Sequence, residues 1–311
     1  MKRDLETLFK EFLYECEYVK RVRPETLKGY IHSFKIFRKL VPGISHDQLS
    51  TELITSFFRT LQERKRMVGN GIIKVGVKTS TIASYWSKLN VFFAWLKDNG
   101  HVATNPFQYL KYPIPSYEDK KYLRKEEIEK IFTAIHLHNS QNILVFKRNL
   151  VLLHLLLYCG LRKEELQFLQ IRDIDLEKKL ITIRGETSKS KRTRQLPLHS
   201  STVMHLKDYL SERKQYTTPY LIISNLRDDK LSNAGLVHLV NSIRRRSKVS
   251  FHLHQFRHTF AVNFLKATNN IFKLKVMLGH SDIRVTSLYL RCLPPEEFRG
   301  DIESLSVDTF I

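Results

Sequence analysis

Four short segments in the second half of this chain carry side chains that could bind or attack an anionic group. In the first, residues 159–166, Arg162 directly follows a glycine break, so its guanidinium can point out of the core. Glu165 lies one helical turn later and could orient that arginine or a neighbouring group. Because arginines beside glutamates usually form solvated ion pairs, this segment by itself does not predict a function.

The second and third segments are rich in basic side chains. Residues 185–194 form a basic turn between two predicted strands. Such a turn could place an ammonium beside a DNA phosphate, but by itself it is better explained as a solvated turn. In residues 252–259, His254 and Arg257 are three apart and share a helical face. Three histidines there suggest a metal, but no carboxylate lies in the run and no cysteine or histidine elsewhere has matching ligand spacing, so we predict no metal site.

The fourth segment, residues 277–290, joins a glycine–histidine corner to a short helix that ends with a tyrosine. His280 forms the corner and Tyr289 follows nine residues later. A tyrosine hydroxyl can act as a nucleophile, and imidazole can donate a hydrogen bond to an oxyanion. A histidine or tyrosine alone in such a place would usually be a packing residue, so the combination of the four segments carries the evidence.

The elements that must position these residues have a mixed pattern. Helices are predicted at 124–135, at 146–158 and again from Leu236 onwards. Strands are predicted at 179–184 and 194–198, the second at a sheet edge because it ends near a proline. Residues 220–224 form either a third strand or a short buried segment.

The N-terminal part has a purely helical pattern. Apolar residues recur at helical spacing in four stretches, 5–13, 26–40, 53–61 and 82–96, and we interpret their aromatic stripes as helix core. Residues 67–78 are basic and contain glycines, which predicts a loop. Two closely spaced prolines follow, at Pro113 and Pro115. We therefore predict a helical domain at 1–113, a linker at 114–121 and a second domain at 122–311.

The composition favours a nucleic-acid partner. The formal net charge is +21, and basic residues that meet phosphates release counterions, although a basic but unrelated enzyme is the alternative. Three widely spaced cysteines indicate reduced thiols. The most apolar run, 150–158, is too short to span a bilayer, and no apolar signal core follows the basic start of the chain. We expect a cytoplasmic protein with no membrane contact.

Taken in order, the four segments resemble the tyrosine recombinases, also called phage-integrase-type site-specific recombinases. The resemblance covers residues 122–295, and Thr79 to Phe107 is similar, more weakly, to the core-binding domain of that family. The residues that match the catalytic positions of the family are Arg162, Lys189, His254, Arg257, His280 and Tyr289. Lys189 matches because it precedes Pro197 by eight residues, whereas the local sequence departs from the usual Gly-Lys-Gly and leaves Lys191 as a competitor.

The resemblance implies a mainly α-helical fold with a small antiparallel β-sheet, in which a core-binding domain and a catalytic domain clamp DNA. It implies cleavage through a 3′-phosphotyrosyl intermediate on Tyr289, without metal, ATP or another cofactor. We expect Glu165 and His258 to support the catalytic groups, and the remaining basic residues of the turn, Lys191, Arg192 and Arg194, to contact DNA. The expected partners are duplex DNA with a specific site and three further copies of the chain, joined through the C-terminal residues 304–311.

The residue types suit such a reaction. Arg162 and Arg257 can bind non-bridging phosphate oxygens with planar, permanently charged forks. Tyrosine has a pKa of about 10, so a base or a positive field must assist it, and His254 is the predicted base. A lysine can protonate the leaving 5′ oxygen, and His280 can hydrogen-bond the phosphate. Alternatives are a type IB topoisomerase and a catalytically silent DNA-binding regulator, whereas a metal-dependent nuclease would need an acidic cluster.

Overall fold

The computed structural model describes residues 4–69, 71–114, 122–138, 142–188 and 191–303. The chain divides into two compact units, Met1–Tyr117 and Glu118–Ile311, and much of the predicted linker, residues 115–121, lies outside the described ranges. In the described ranges, no helix is both long and apolar enough to cross a membrane. Most described residues are helical, as the resemblance implies. The strands form two small antiparallel sheets, where one was expected.

The first unit is built around aromatic side chains from four helices. Asp4 and Ser50 begin two of these helices by accepting hydrogen bonds from backbone N–H groups in the first turn. Phe9 stacks on Phe34 at 3.9 Å between ring centroids, and Phe92 meets both rings edge-on. The predicted aromatic core is thereby confirmed. The helices are α1 (Leu5–Tyr14), α2 (Pro24–Leu40), α3 (Thr51–Glu63) and α4 (Thr79–Asp98).

The prediction of a loop after α3 is wrong. Strands β1 (Lys65–Val68) and β2 (Ile72–Val75) form an antiparallel hairpin there. Gly76 fixes its base, because the Gly76 N–H donates to the Arg64 carbonyl and a Cβ at Gly76 would lie 2.3 Å from the Gln62 carbonyl oxygen. The glycines and basic residues that suggested a loop are compatible with the turn and the exposed faces of this hairpin.

The second unit packs helices around one large apolar core and a three-stranded sheet. A smaller apolar cluster lies between the last long helices and contains Tyr289. The helices are α5 (Lys125–His138), α6 (Ile143–Cys159), α7 (Lys163–Gln167), α8 (Ser200–Glu212), α9 (Asn233–Ser247), α10 (Leu253–Thr268), α11 (Ile271–Leu278), α12 (Ile283–Ser287) and α13 (Arg299–Glu303).

The sheet of the second unit has the order β3 (Ile174–Asp175), β4 (Leu180–Ile183) and β5 (Arg194–Pro197). Pro197 is therefore on an edge strand, as predicted. Residues 220–224 contribute only single bridges, at Tyr220 and Ile223, while Leu221 and Ile222 are buried. The reading of this stretch as a short buried segment is confirmed, and the third strand is β3 instead.

Candidate active site

The side chain of Glu165 is the centre of the candidate site. It is completely buried, at position three of the short helix α7. The Glu165 carboxylate accepts hydrogen bonds from the Arg162 backbone N–H at 3.0 Å and from the Arg162 guanidinium at 2.9 Å. It also accepts two bonds from Arg194, at 3.0 and 2.9 Å, and one from the Ser188 hydroxyl at 3.1 Å. Arg257 Nη1 lies 4.0 Å away, so three guanidinium groups surround a single carboxylate.

Arg162 is positioned by the end of helix α6. Gly160 ends that helix with a left-handed φ of 59°, and a Cβ there would lie 2.4 Å from the Phe260 ring. Only glycine fits both the conformation and this contact. The chain can therefore turn sharply and present Arg162 at the start of α7, where its side chain keeps 17% exposure. This matches the glycine break that the sequence indicates.

Arg257 is almost completely buried within helix α10. Its Nη1 donates to the Gly160 carbonyl and its Nη2 to the Leu278 carbonyl, both at 2.6 Å. These two carbonyls end helices α6 and α11, where backbone acceptors lack helical partners. The arginine fork therefore joins three helices and fixes its own orientation beside Arg162 and Glu165.

His280 lies next to Arg257 because Gly279 ends α11 in a left-handed conformation. Arg257 Nη2 is 3.1 Å from His280 Nε2, and since a guanidinium has no acceptor, Nε2 must accept. His280 Nδ1 then donates to the Thr286 hydroxyl at 2.9 Å. Thr286, which the sequence reasoning missed, is fully buried and sets the tautomer of this histidine.

The Tyr289 hydroxyl faces helix α10. The tyrosine follows α12 by two residues and is only 1% exposed. Its hydroxyl oxygen lies 3.0 Å from His258 Nδ1, while the His258 ring lies 4.4 Å from the His254 ring. The histidine that contacts the tyrosine is thus His258. His254, the base predicted from the sequence, is exposed at the start of α10, one helical turn away.

Arg194 is the clearest departure from the sequence prediction. We expected it to contact DNA, but its side chain is 8% exposed and is paired with Glu165. Its Nε donates to the Met277 carbonyl at 3.0 Å. The side chain also packs closely on Gly279, since a Cβ on that glycine would lie 2.9 Å from Arg194 Nη1. Arg194 therefore joins β5, α7 and the end of α11, and the geometry favours a positioning role over a phosphate contact.

The remaining basic residues of the β4–β5 connection fall into two groups. Lys191 and Arg192 are exposed, as a DNA contact requires. Lys189, the predicted general acid, lies outside the described residues. Its neighbour Ser188 is buried, and the Ser188 hydroxyl donates to Glu165.

Burial and neighbouring charges change the pKa values of Glu165, Arg257 and Tyr289. Burial opposes ionisation of Glu165, but the hydrogen bonds and charges of Arg194 and Arg162 hold its pKa at about 2. Burial, with the nearby charge of Arg162, lowers the pKa of Arg257 to about 9, which leaves it protonated at neutral pH. Burial raises the pKa of Tyr289, and the charge of Arg257 only partly opposes this. The phenol therefore needs a base or an added field to ionise.

We predict that Glu165→Gln lowers the free energy of unfolding by about 3–5 kcal/mol at pH 7, because it leaves buried guanidiniums without their carboxylate. The folded pKa of about 2 lies below the ordinary glutamate pKa of 4.5, which applies in the unfolded chain, so this stabilisation is present above pH 4.5 and is lost as the pH falls through about 2. Urea unfolding between pH 2 and 7 measures it.

The matched control for that experiment is Glu164→Gln. Glu164 is the adjacent residue, and its ion pair with Lys163 is exposed. We expect a change below about 0.5 kcal/mol that hardly varies with pH. Equal losses in both variants, or a Glu165→Gln deficit that persists at pH 2, would contradict the proposed role of the buried carboxylate.

The described residues contain no cluster of three or more histidine, cysteine, aspartate or glutamate side chains that could hold a metal ion. The charges that the site presents are guanidiniums. Such a site can neutralise a phosphate, and a tyrosine and two histidines lie beside it. The arrangement is suited to nucleophilic attack on a phosphodiester.

Comparison with known proteins gives the family. A sequence model of the phage integrase family matches residues 121–294, more than half of the chain. Tyrosine recombinase XerC of Oceanobacillus iheyensis is 27% identical over 296 residues, covering 92% of this chain and 91% of that protein. Its namesake from Bacillus subtilis is 25% identical over 290 residues, covering 91% and 90%.

Solved structures show the same fold. The Tn1549 transposon integrase, determined with transposon right end DNA, is similar with a TM-score of 0.75 at 18% identity, covering 97% of this chain and 99% of that one. A lambda integrase dimer bound to a core site has a TM-score of 0.70 at 18% identity, covering 92% and 95%. Together with the family match, these findings show that the chain belongs to the phage integrase family, the tyrosine recombinases.

Proposed function

We propose that this chain is a site-specific DNA recombinase that cleaves and rejoins strands through a covalent bond between Tyr289 and DNA. The observation that carries the proposal is the arginine cluster: Glu165 holds Arg162 and lies 4.0 Å from Arg257, whose neighbour on α10, His258, contacts the tyrosine hydroxyl. A charge-neutralising site and a nucleophile are thus built on the same helices.

In the proposed reaction, the Tyr289 oxygen attacks the scissile phosphorus while the bond from phosphorus to the 5′ oxygen breaks. The phenolic proton passes to a histidine, and the contact distance favours His258, with His254 next to it. Arg162 and Arg257 bind the non-bridging oxygens. For His280 to donate a hydrogen bond to the phosphate, its Nε2 must leave Arg257 and carry a proton, and the Thr286 hydroxyl then donates to Nδ1. The product is a 3′-phosphotyrosine and a free 5′ hydroxyl. The reverse reaction with another 5′ hydroxyl rejoins the strand, so ATP is not required.

We assign the general acid to Lys189. It directly follows Ser188, which donates to Glu165 at the centre of the arginine cluster, whereas Lys191 is exposed with a left-handed φ of 53°. The proton goes to the departing 5′ oxygen. The charge of the transition state is carried by guanidiniums, so we propose that neither a metal nor another cofactor takes part.

We predict that Lys189→Ala slows cleavage by about 10²–10⁴-fold, because the 5′ alkoxide then leaves unprotonated. A DNA substrate with a 5′-bridging phosphorothiolate should restore most of the rate, since a thiolate leaves without a proton. Cleavage is measured on gels with both substrates. Lys191→Ala is the control, and a rescue seen with that variant instead of Lys189→Ala would move the acid to Lys191.

We propose duplex DNA with a specific recombination site as the substrate, and a homotetramer on two such sites as the active assembly. The exposure of Lys191 and Arg192 supports a DNA contact by these residues, and the net charge of +21 favours binding. The residues proposed to join the subunits, 304–311, lie outside the described ranges. Deleting them should reduce synapsis, seen as paired duplexes on native gels, while leaving single-site binding intact. Unchanged synapsis would contradict the assembly model.

The family match and the named relatives do not favour the two alternatives, a type IB topoisomerase and a silent regulator. The deciding experiment uses labelled DNA from the flanks of the coding region, nicked near candidate sites, with a chelator present. A recombinase gives a covalent protein–DNA adduct only on DNA that carries its site. Ready relaxation of site-free supercoiled DNA would indicate a topoisomerase instead, and tight binding without any adduct would indicate a regulator.

A further inference from the structure

The β1–β2 hairpin of the first unit is an exposed ribbon that the proposed reaction does not use. A single two-stranded hairpin is marginally stable in water, and strands normally hide their apolar side chains. Here Met67, Ile73 and Val75 are 78%, 68% and 66% exposed. Neighbouring apolar side chains with this exposure usually mark a surface that another molecule covers.

The register divides the ribbon into two different faces. Cross-strand partners share a face, so Met67 and Ile73 lie beside the pair Lys65 and Val75. We call this the apolar face. On the other side, which we call the basic face, Arg66 lies directly opposite Lys74, beside the apolar pair Val68 and Ile72. No ion pair found among the described residues includes Arg66 or Lys74, although like charges in opposite positions destabilise a hairpin. An anion that binds both would remove this repulsion.

The charged residues of the hairpin, and those that follow it in the sequence, have one sign. The stretch from Arg64 to Lys78 contains basic residues and no acidic residue, and no acidic residue follows before Asp98. The hairpin is also held in a fixed direction relative to α3, because Gly76 packs on the Gln62 carbonyl and Arg66 Nε donates to the Gly76 carbonyl at 2.7 Å. A basic and partly apolar ribbon, anchored at its base, is thus presented on the first unit.

We propose that this hairpin is a second DNA-binding element, which lies in a major groove of the duplex. The major groove admits a two-stranded ribbon, and apolar side chains there contact thymine methyl groups. The apolar face would point to the base edges. The long side chains of Arg66 and Lys74 would bend from the opposite face around the strand edges to reach the phosphates on the groove walls. A protein partner would explain the apolar face but leaves the repulsion between Arg66 and Lys74 unrelieved. The proposal rests on the proposed function, since it requires a DNA substrate.

The test measures how salt affects the binding of the full chain to a fluorescein-labelled duplex of mixed sequence, by anisotropy over a series of KCl concentrations. Arg66→Ala/Lys74→Ala should reduce the slope of log K against log[KCl] by about 1.8, since each phosphate contact contributes about 0.9. The control, Lys207→Ala/Lys214→Ala, removes the same charge from exposed positions of the second unit and should leave the slope unchanged. Equal slopes for the two double variants would overturn the proposal.

The apolar face has its own test. Met67→Ser/Ile73→Ser removes no charge, so it should weaken binding to the same duplex several-fold without changing the salt slope. Replacing thymine by uracil in the duplex should weaken the wild type but hardly affect this variant. If the variant binds DNA normally and instead loses a dimer that sedimentation detects in the wild type, the face binds a second copy and the proposal fails. A wild type that binds no DNA at all would refute the proposed function as well.

Discussion

Tyr289→Phe should abolish covalent attachment to DNA, with a loss of roughly 10⁴-fold or more, because the change removes the only atom proposed to bond to phosphorus. DNA affinity should change by no more than a few-fold. The hydroxyl lies inside the protein, 3.0 Å from His258, so the free energy of unfolding should fall by only about 0.5–1.5 kcal/mol. Denaturing gels measure adducts, and anisotropy measures binding.

Tyr209→Phe is the matched control for this variant. Tyr209 is also buried in the second unit, and its hydroxyl donates to the Leu221 carbonyl at 2.9 Å. The stability cost should therefore be similar, with adduct formation retained. Adducts that persist in Tyr289→Phe would show that another residue is the nucleophile, and adducts lost in both variants would show that stability explains the effect.

Arg257→Lys should reduce cleavage by about 10²–10³-fold, although the positive charge is kept. The guanidinium donates to two helix-terminal carbonyls, of Gly160 and Leu278, while it lies against His280. The lysine ammonium is compact and lacks the planar fork of donors, so it cannot make these bonds and also bind a phosphate oxygen. The loss should appear in the rate constant of single-turnover cleavage at saturating protein, because the contact between Arg257 and the phosphate tightens in the transition state.

Arg213→Lys separates this catalytic loss from a loss of folding. Arg213 is also buried in the second unit, and its guanidinium donates to the carbonyls of Tyr220 and Thr218, away from the site. Both variants should be destabilised, but only Arg257→Lys should cleave slowly per folded molecule. Equal cleavage rates in the two variants would mean that Arg257 is structural and makes no contact with the reacting phosphate.

The sequence predicts those parts of the site in which a local pattern has one structural meaning. Gly160 and Gly279 are typical of helix ends, and each ends its helix in the structure. Arg162 and His280 follow these two helix ends. The three-residue spacing of His254 and Arg257 does not separate their roles, because burial of α10 places Arg257 inside and His254 outside. His258 lies one helical turn after His254 on a partly buried part of α10, and there it contacts Tyr289.

The roles that the sequence does not predict depend on contacts between residues that are not neighbours in the sequence. Arg194 belongs to a run of basic residues typical of a solvated turn, and only the pairing of β5 with β4 brings it to Glu165, 29 positions earlier. Thr286 supports His280 across the corner between α11 and α12, which no propensity indicates. The glycines and basic residues of 67–78 predict a loop, because glycine and lysine are rare within strands, yet cross-strand pairs form a hairpin there.

The central claim is the covalent bond between Tyr289 and DNA, and the most direct measurement is the identity of the linked residue. Adducts trapped on nicked site DNA in the presence of chelator would be digested with nuclease and trypsin, and the nucleotide-bearing peptide sequenced by mass spectrometry. The account predicts a phosphotyrosine at Tyr289, joined to the 3′ end of the cleaved strand with a free 5′ hydroxyl on the other fragment. A nucleotide on any other residue, or a 5′ linkage, would contradict it.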